Sequence, residues 1–362
     1  MRSVVLHSLL EWYRKAARPL PWRREPRDPY HVVVSEFMLQ QTKVDRVAPR
    51  FNGFVERFPT FQSLAEASEE EVLTEWSGLG YYRRARMLHE MAGQVARRSG
   101  GLPRTFRELQ ELPGIGPYTA AAVASLAFAA AEPVLDGNVM RVGSRVLALD
   151  EDPRSTEGRR RLKVWIRGMM EGQHPGEVNE ALMELGATVC TSADPRCGDC
   201  PIRGDCAAER SGRQTDYPPP RKRRASESLR WVAACVVESE GSWLLQRVDT
   251  GPILRGLWLP PLRELDDEAD AASEAVQMLP FSVDSTAIVG TPVRHSITHR
   301  RIEVIPVFFE NPHLEPPAAG WRWIDPKDPG VPTSSLLQKL IEIRSGCSGY
   351  PSSDLATSSM TS

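Results

Sequence analysis

The sequence predicts two domains of different class: an all-α domain over residues 1–216 and an α+β domain over residues 230–345, joined by a linker over 217–229. Three observations carry this reading. Helix-like segments punctuated by Pro and Gly run through the first 210 residues. Tyr217-Pro-Pro-Pro-Arg-Lys-Arg-Arg-Ala225 then breaks the pattern, because three prolines favour an extended chain and a basic run stays solvated. From Trp231 onward, runs of β-branched and aromatic residues replace the helical ones.

In order along the chain, Glu69–Trp76 and Arg83–His89 read as helices. Thr119–Ala131, almost all Ala, Val, Leu and Phe, reads as a buried central helix. Phe58-Pro59-Thr60, Gly78-Leu79-Gly80, Gly100-Gly101-Leu102-Pro103 and Leu112-Pro113-Gly114 mark the breaks. In the second domain Trp231–Val237, Ser242–Gln246 and Arg301–Phe309 read as strands, and the acidic, Ala-rich Glu264–Gln277 as one helix packed on them. The Ser/Thr/Gly-rich stretch 346–362 is expected to be a disordered tail.

Composition rules out several classes. With 41% hydrophobic and 25% charged residues, the 362-residue chain is neither disordered nor collagenous, and no apolar run approaches a membrane span. The first residues lack the continuous apolar core of a secretory signal. A net charge of −2 argues weakly against a nucleic-acid binder, but the average hides a split. Residues 1–224 hold 34 Lys+Arg against 29 Asp+Glu, a net of +5; residues 225–362 hold 11 against 18, a net of −7.

Four of the six cysteines crowd into 17 residues, spaced Cys190-x6-Cys197-x2-Cys200-x5-Cys206. Disulfide frameworks spread their cysteines, so a soluble, reducing compartment is expected. Four thiolates in one short loop can enclose either a zinc ion or a [4Fe–4S] cluster. Arg196 and Arg203 within the loop are offered to a phosphate backbone.

Leu112-Pro113-Gly114-Ile115-Gly116-Pro117 precedes the Ala-rich helix. Two glycines two apart permit a tight turn whose N–H groups converge at a helix N-terminus. Such a turn holds phosphate oxygens, directly or through a bound monovalent or divalent cation. Asp136, twenty residues past Gly116, is placed as a helix N-cap. Glu36 sits in the helix-like Ser35-Glu-Phe-Met-Leu39, among apolar neighbours. Read as a bare pattern it is a solvent-facing or capping residue.

Taken together, these residues resemble a known family. Leu20-Pro21-Trp22-Arg23, Glu36 to Thr42, Gly78 to Tyr82, Leu112 to Gly116, Leu135 to Val139 and the cysteine loop follow the order seen in MutY-type adenine DNA glycosylases. These belong to the helix-hairpin-helix, endonuclease III-like superfamily. The match covers nearly all of the first 210 residues. It implies a helix-hairpin-helix glycosylase domain and a [4Fe–4S] cluster on Cys190, Cys197, Cys200 and Cys206. It further implies that Leu112, Gly114 and Gly116 belong to a DNA-binding hairpin.

The resemblance also implies roles at the reaction centre. Breaking a glycosidic bond through an oxocarbenium-like transition state calls for two carboxylates. Glu36 is then the acid that protonates adenine N7 and later activates water, and Asp136 stabilises or traps the cationic sugar. Asn138 positions that carboxylate or the water, and Tyr118 lies beside the sugar. Bifunctional relatives carry a lysine where this chain has Tyr118, which cannot form a Schiff base, so base excision without lysine-driven strand cleavage is expected. Trp22, Arg23 and Glu180 match positions lining the adenine pocket. Gln41 and Tyr81 match the wedge that fills the gap when the base leaves the duplex.

Residues 231–344 resemble the family's Nudix-like domain through Leu244–Arg247, Gly256–Pro260 and Arg294–His299. A hydrolytic Nudix site needs a Gly-led run ending in Arg-Glu with paired glutamates for magnesium. After Gly256 only scattered acids follow, Glu264, Asp266, Asp267 and Glu268, so the domain is expected to read rather than hydrolyse. Where the family has Phe-Ser-His facing 8-oxoguanine, this chain has Ile297-Thr298-His299.

The implied protein is a monofunctional, monomeric enzyme of the cytoplasm, at the nucleoid, acting on double-stranded DNA with A:8-oxoguanine or A:G mispairs. Two alternatives differ in class. A thymine mismatch glycosylase shares the cluster and hairpin but usually lacks the C-terminal reader. A non-catalytic lesion sensor would not need Glu36 and Asp136.

Overall fold

The computed structural model describes residues 2–220, 226–238, 240–251, 253–266, 268–283, 285–297, 299–310 and 319–347. The chain divides into two compact units, Met1–Val72 with Tyr81–Arg223, and Leu73–Gly80 with Arg224–Ser362.

The first unit is helical: α1 (Arg2–Ala16), α2 (Pro29–Leu39), α3 (Val44–Arg57), α4 (Phe61–Glu66), α5 (Glu69–Glu75, which runs across the division), α6 (Arg83–Ala96), α7 (Phe106–Leu109), α8 (Pro117–Phe128), α9 (Gly137–Leu147), α10 (Thr156–Met170), α11 (Pro175–Thr188) and α12 (Ala207–Arg210). Local chemistry sets several starts. The Asp28 side chain accepts from the Tyr30 amide and Pro29 opens α2, while Pro117 opens α8 and Pro175 opens α11. The central helix, expected to reach Ala131, ends at Phe128. Ala129 turns left-handed there (φ 54°), and Ala130 N donates to Ala124 O at 3.0 Å to close the end. The next residues then run extended towards Asp136, held where Val134 N donates to the buried Asn179 at 3.1 Å.

Packing of α11 on α9, α8 and α1, and of α2 on α8, builds the unit's frame. One apolar cluster joins Leu9 and Leu10 of α1, Val139 and Val142 of α9, Ile166 of α10, and Val178, Leu182 and Leu185 of α11. Burying each such side chain is worth about 1.5–3 kcal/mol, so these contacts rather than propensity hold the helices. Gly186 lets α11 touch the start of α9: a Cβ there would lie 2.6 Å from Asn138 Cβ and 3.0 Å from its backbone.

The second unit is a mixed sheet with helices. Its strands are β1 (Glu227–Val237), β2 (Trp243–Arg247), β3 (Trp258–Leu259), β4 (Leu262–Glu264), β5 (Ile288–Val289), β6 (Val293–Ile297), β7 (Arg300–Glu310) and β8 (Trp321–Ile324). The order is β3-β2-β1-β7-β5, with β4 on β1, β6 on β7 and β8 on β2. Long parallel pairing of β1 with β7, from Glu227↔Arg300 to Val237↔Glu310, forms the centre, and the other pairs are antiparallel. Helix α13 (Ala271–Gln277) covers one face and α14 (Ser335–Cys347) follows β8. The helix read from Glu264 begins only at Ala271. Leu262–Glu264 is drawn into the sheet against Trp231–Ala233, and Asp270, accepting from Ser273 N, caps the helix. Helix α14 reaches Cys347, and residues 348–362 lie outside the described part. No helix among the described residues is long and apolar enough to cross a membrane.

Candidate active site

A cavity of about 280 Å³ in the helical unit is lined by Trp22, Arg23, Glu36, Tyr118, Asp136, Asn138 and Glu180 together. These seven come from the turn before α2, from α2 itself, and from α8, α9 and α11 with their caps.

Glu36 is only 5% exposed, and its Oε2 has no hydrogen-bond partner among the described residues. Burial pushes its pKa up to about 7; Asp136 and Glu180 add to the rise, while the Tyr118 hydroxyl and the Arg23 charge oppose it. The residue that a bare pattern puts in solvent is therefore enclosed, because every side of α2 is covered. Tyr118 has its own pKa raised well above the ordinary phenol value by burial and by Glu36 and Asp136, so it stays neutral. Its hydroxyl lies 3.9 Å from Met183 Sδ.

Asp136 is the N-cap of α9. Oδ1 accepts from Val139 N at 2.6 Å and Oδ2 from Asn138 Nδ2 at 2.9 Å. Burial raises its pKa, against the pull of these hydrogen bonds and of the Arg141 charge. Asn138 in turn accepts from Arg141 Nη2 at 2.9 Å, which fixes its amide with the nitrogen towards Asp136.

The opposite wall is a charge network that the sequence reading largely missed. Glu180 accepts from Tyr13 Oη at 3.0 Å and from Arg27 Nη2 at 2.6 Å, and lies 3.3 Å from Arg23 Nε. Glu184, 1% exposed, takes Arg18 Nε at 2.6 Å and Nη2 at 3.0 Å, and Arg23 Nη2 at 3.0 Å. Burial would raise the Glu184 pKa, but Arg18 and Arg23 overcome it and hold the group below the usual carboxylate range. Arg18, Arg27, Glu184 and Tyr13 carry no local motif. Their partners are more than 150 residues away, and only the i, i+4 spacing of Glu180 and Glu184 on one helix face hinted at a pair.

Three other sets of sequence-derived residues lie elsewhere. Gln41 and Tyr81 are exposed on two loops, and both are left-handed, with φ of 57° and 49°. At the turn before α8, Leu112 is buried, Gly114 has φ 76° and Gly116 is the N-cap. A Cβ on Gly114 would lie 2.7 Å from the Phe37 ring, so only glycine lets this turn approach α2. In the second unit, Ile297 ends β6 opposite Arg300, and His299 lies 3.7 Å from Glu227. Thr298 lies outside the described residues.

Cys190, Cys197, Cys200 and Cys206 are free and half-buried on the loop between α11 and α12. The other three thiols all act on Cys200, whose pKa is pushed up to about 12, first by burial. Arg145, almost fully buried, donates to Cys190 Sγ at 3.3 Å and to Thr191 O and Ser192 O at 2.6 and 3.0 Å. Arg141 ties the loop to the cavity of Glu36 and Asp136, donating to Cys190 O at 2.8 Å as well as to Asn138. Four cysteine thiolates on one loop are a donor set that fits a [4Fe–4S] cluster as well as a zinc ion. Arg196 and Arg203, offered to phosphate by the sequence, are exposed but paired with Asp199 and Glu209 at 3.6 and 2.7 Å.

Comparison with known proteins matches these two units to two families. Residues 34–168 match the HhH-GPD superfamily of base excision DNA repair proteins, and residues 232–342 match the NUDIX domain. The chain is 42% identical over 219 residues to the adenine DNA glycosylase of Mycobacterium tuberculosis, covering 60% of this chain and 72% of that protein. It is 48% identical over 210 residues to the human adenine DNA glycosylase, covering 56% of this chain but spanning only 38% of the human protein's length. Among solved structures, a thermostable thymine-DNA glycosylase superposes with a TM-score of 0.53 at 27% identity, over 58% of this chain and 97% of that one. A buried acid facing a capped aspartate, in a helix-hairpin-helix frame followed by a NUDIX domain, agrees with these matches: the chain belongs to the adenine DNA glycosylase family.

Proposed function

We propose that the chain is a monofunctional glycosylase that removes adenine paired with 8-oxoguanine, or with G, by hydrolysing the N-glycosidic bond in double-stranded DNA. The observation that carries the reading is Glu36, a buried carboxyl whose pKa burial pushes up to about 7, with an oxygen unpartnered among the described residues, in a cavity shared with Asp136.

The adenine must first leave the stack, at a cost of a few kcal/mol, and Gln41 and Tyr81 then fill its gap. Trp22, Arg23 and Glu180 line the pocket that receives it. Glu36 gives its proton to adenine N7, and the electrons of the C1′–N9 bond pass to the departing base. The positive charge left on the sugar meets the Asp136 carboxylate, whose rotamer is locked by Val139 N and Asn138. Water then adds to C1′ and returns its proton to Glu36. Tyr118 packs beside the sugar and supplies no amine, so the strand is left intact.

Cys190, Cys197, Cys200 and Cys206 would hold a [4Fe–4S] cluster, which when bound organises the loop that α9 grips through Arg141 and Arg145. Leu112, Gly114 and Gly116 present turn amides to a phosphate, directly or through a monovalent or divalent cation. The second unit reads the opposing base with Ile297, Thr298 and His299. Its acids Glu264, Asp266 and Glu268 are all exposed, which suits reading rather than hydrolysis. A monomer acting at the cytoplasmic nucleoid completes this reading.

Duplexes carrying A:8-oxoguanine, A:G, T:G and A:T test it. Adenine should be released from the first two and nothing from A:T, with the strand uncut. Thymine release in place of adenine would overturn the assignment.

A further inference from the structure

One buried cation joins the two exposed loops that carry Gln41 and Tyr81. Arg84, on the first turn of α6, is 7% exposed. Its Nη1 donates to Phe37 O at 2.9 Å, to Met38 O at 2.8 Å and to Gln40 O, and its Nη2 donates to Thr42 Oγ1 at 2.9 Å. These acceptors include the last carbonyls of α2, which have no partner within their own helix and lie at its negative end. The guanidinium carbon also sits 5.4 Å from the centre of the Tyr81 ring, and Arg84 N donates to Tyr81 O at 2.9 Å.

What it holds is costly to hold. Gln41 and Tyr81 are both non-glycine residues in the left-handed region, a conformation worth about 1–2 kcal/mol of strain each. A rigid fork bonded on one side to the backbone around Gln41, and stacked on the other against Tyr81, sets the spacing between them. Lysine, with one rotating ammonium, cannot meet four acceptors and a ring face together.

We propose that Arg84 is a positioning residue that locks Gln41 and Tyr81 into one preformed wedge at the end of the Glu36 helix. The proposal rests on reading those two residues as the wedge that replaces the extruded base. Arg84 is not among the residues lining the cavity of Glu36 and Asp136, so it acts on extrusion rather than on bond cleavage.

The test uses 2-aminopurine beside the target adenine in an A:8-oxoguanine duplex, whose fluorescence reports unstacking, in an Asp136→Asn background that halts the chemistry. Arg84→Lys should cut the extrusion signal by about tenfold or more, the scale on which small misplacements act. In the Asp136 enzyme, Arg84→Lys should slow excision to match while leaving the pH at half-maximal rate unchanged, since the Glu36 pocket is intact. Thr42→Val, which removes one of the four acceptors, should lower extrusion in the same direction by a smaller factor. The double variant Gln41→Ala/Tyr81→Ala is the control: if it extrudes the base normally, the wedge reading fails. If it loses the signal while folded Arg84→Lys keeps it, or while Thr42→Val keeps it where Arg84→Lys does not fold, the Arg84 proposal alone is overturned. A shift of the pH midpoint in Arg84→Lys also overturns it, since that would mark damage to the Glu36 helix.

Discussion

The helical unit and the sheet unit bury different things. In the first, Glu36, Arg84, Arg145, Glu180 and Glu184 are all less than a tenth exposed, and four of the five sit within or against ion pairs and hydrogen-bond networks. In the second, the buried core is apolar, from Val232, Ala234 and Val236 of β1 to Ile305, Val307 and Phe309 of β7. Its buried polar residues, among those described, are His295, Thr333 and Ser334. The sheet unit has a cavity of about 450 Å³, larger than the one of about 280 Å³ around Glu36, but the acids lining it, Asp249 and Glu264, are exposed. Cavity size alone therefore does not single out the candidate site. Burying charge costs several kcal/mol per ion, and a fold carries that cost where chemistry needs it.

The sharpest break of this contrast is at Asp136. Asp136→Asn keeps an N-cap and the shape of the cavity but removes the charge proposed to meet the sugar. Single-turnover excision should fall on the order of 10³-fold, with thermal stability little changed. An unaltered rate would remove Asp136 from the mechanism.

Glu36 comes next, and its pH dependence has a definite sign. The proposed reaction needs the protonated acid, so single-turnover rates should level off as pH falls below 7 and drop about tenfold per unit above it. Stability follows the same linkage: a folded-state pKa raised from 4.5 to about 7 adds stability in full below pH 4.5, which is lost as pH rises through about 7. Glu36→Gln should therefore abolish the alkaline limb. It should also raise unfolding free energy at pH 8 by up to about 3 kcal/mol, with no gain at pH 4. A variant that is stabilised equally at both values would show that Glu36 is not held protonated by burial.

The smallest effect belongs to the sheet unit, where the proposed reading of the lesion is polar and local. Thr298→Ala should reduce the preference for A:8-oxoguanine over A:G by roughly fivefold, the worth of about one hydrogen bond, with the A:G rate unchanged. A preserved ratio would take lesion reading away from that hairpin.

Much of the site was legible in sequence because its signals are local. The Leu-Pro-Gly-x-Gly turn needs a left-handed glycine against α2, and Gly114 supplies it. Asp136 needs only the next three residues to act as a cap. The four cysteines are recognisable from spacing alone, and the change from helical to strand-like composition near Trp231 marks the second fold. Glu36 was half legible: its apolar neighbours are visible, but its burial depends on α8 and α11 closing over α2.

The arginines were not legible at all. Arg18, Arg27, Arg84, Arg141 and Arg145 are five among 45 basic residues, with nothing nearby in the sequence to distinguish them from solvated charge. By itself the sequence determined which residue types stand at the helix caps, the turns and the cysteine loop, because those depend on φ, ψ and neighbours within a few positions. Only the tertiary structure decided which charges are buried and which partners neutralise them. A carboxylate 161 residues from its arginine finds it through the packing of α11 against the turn before α2, and no local pattern encodes that meeting.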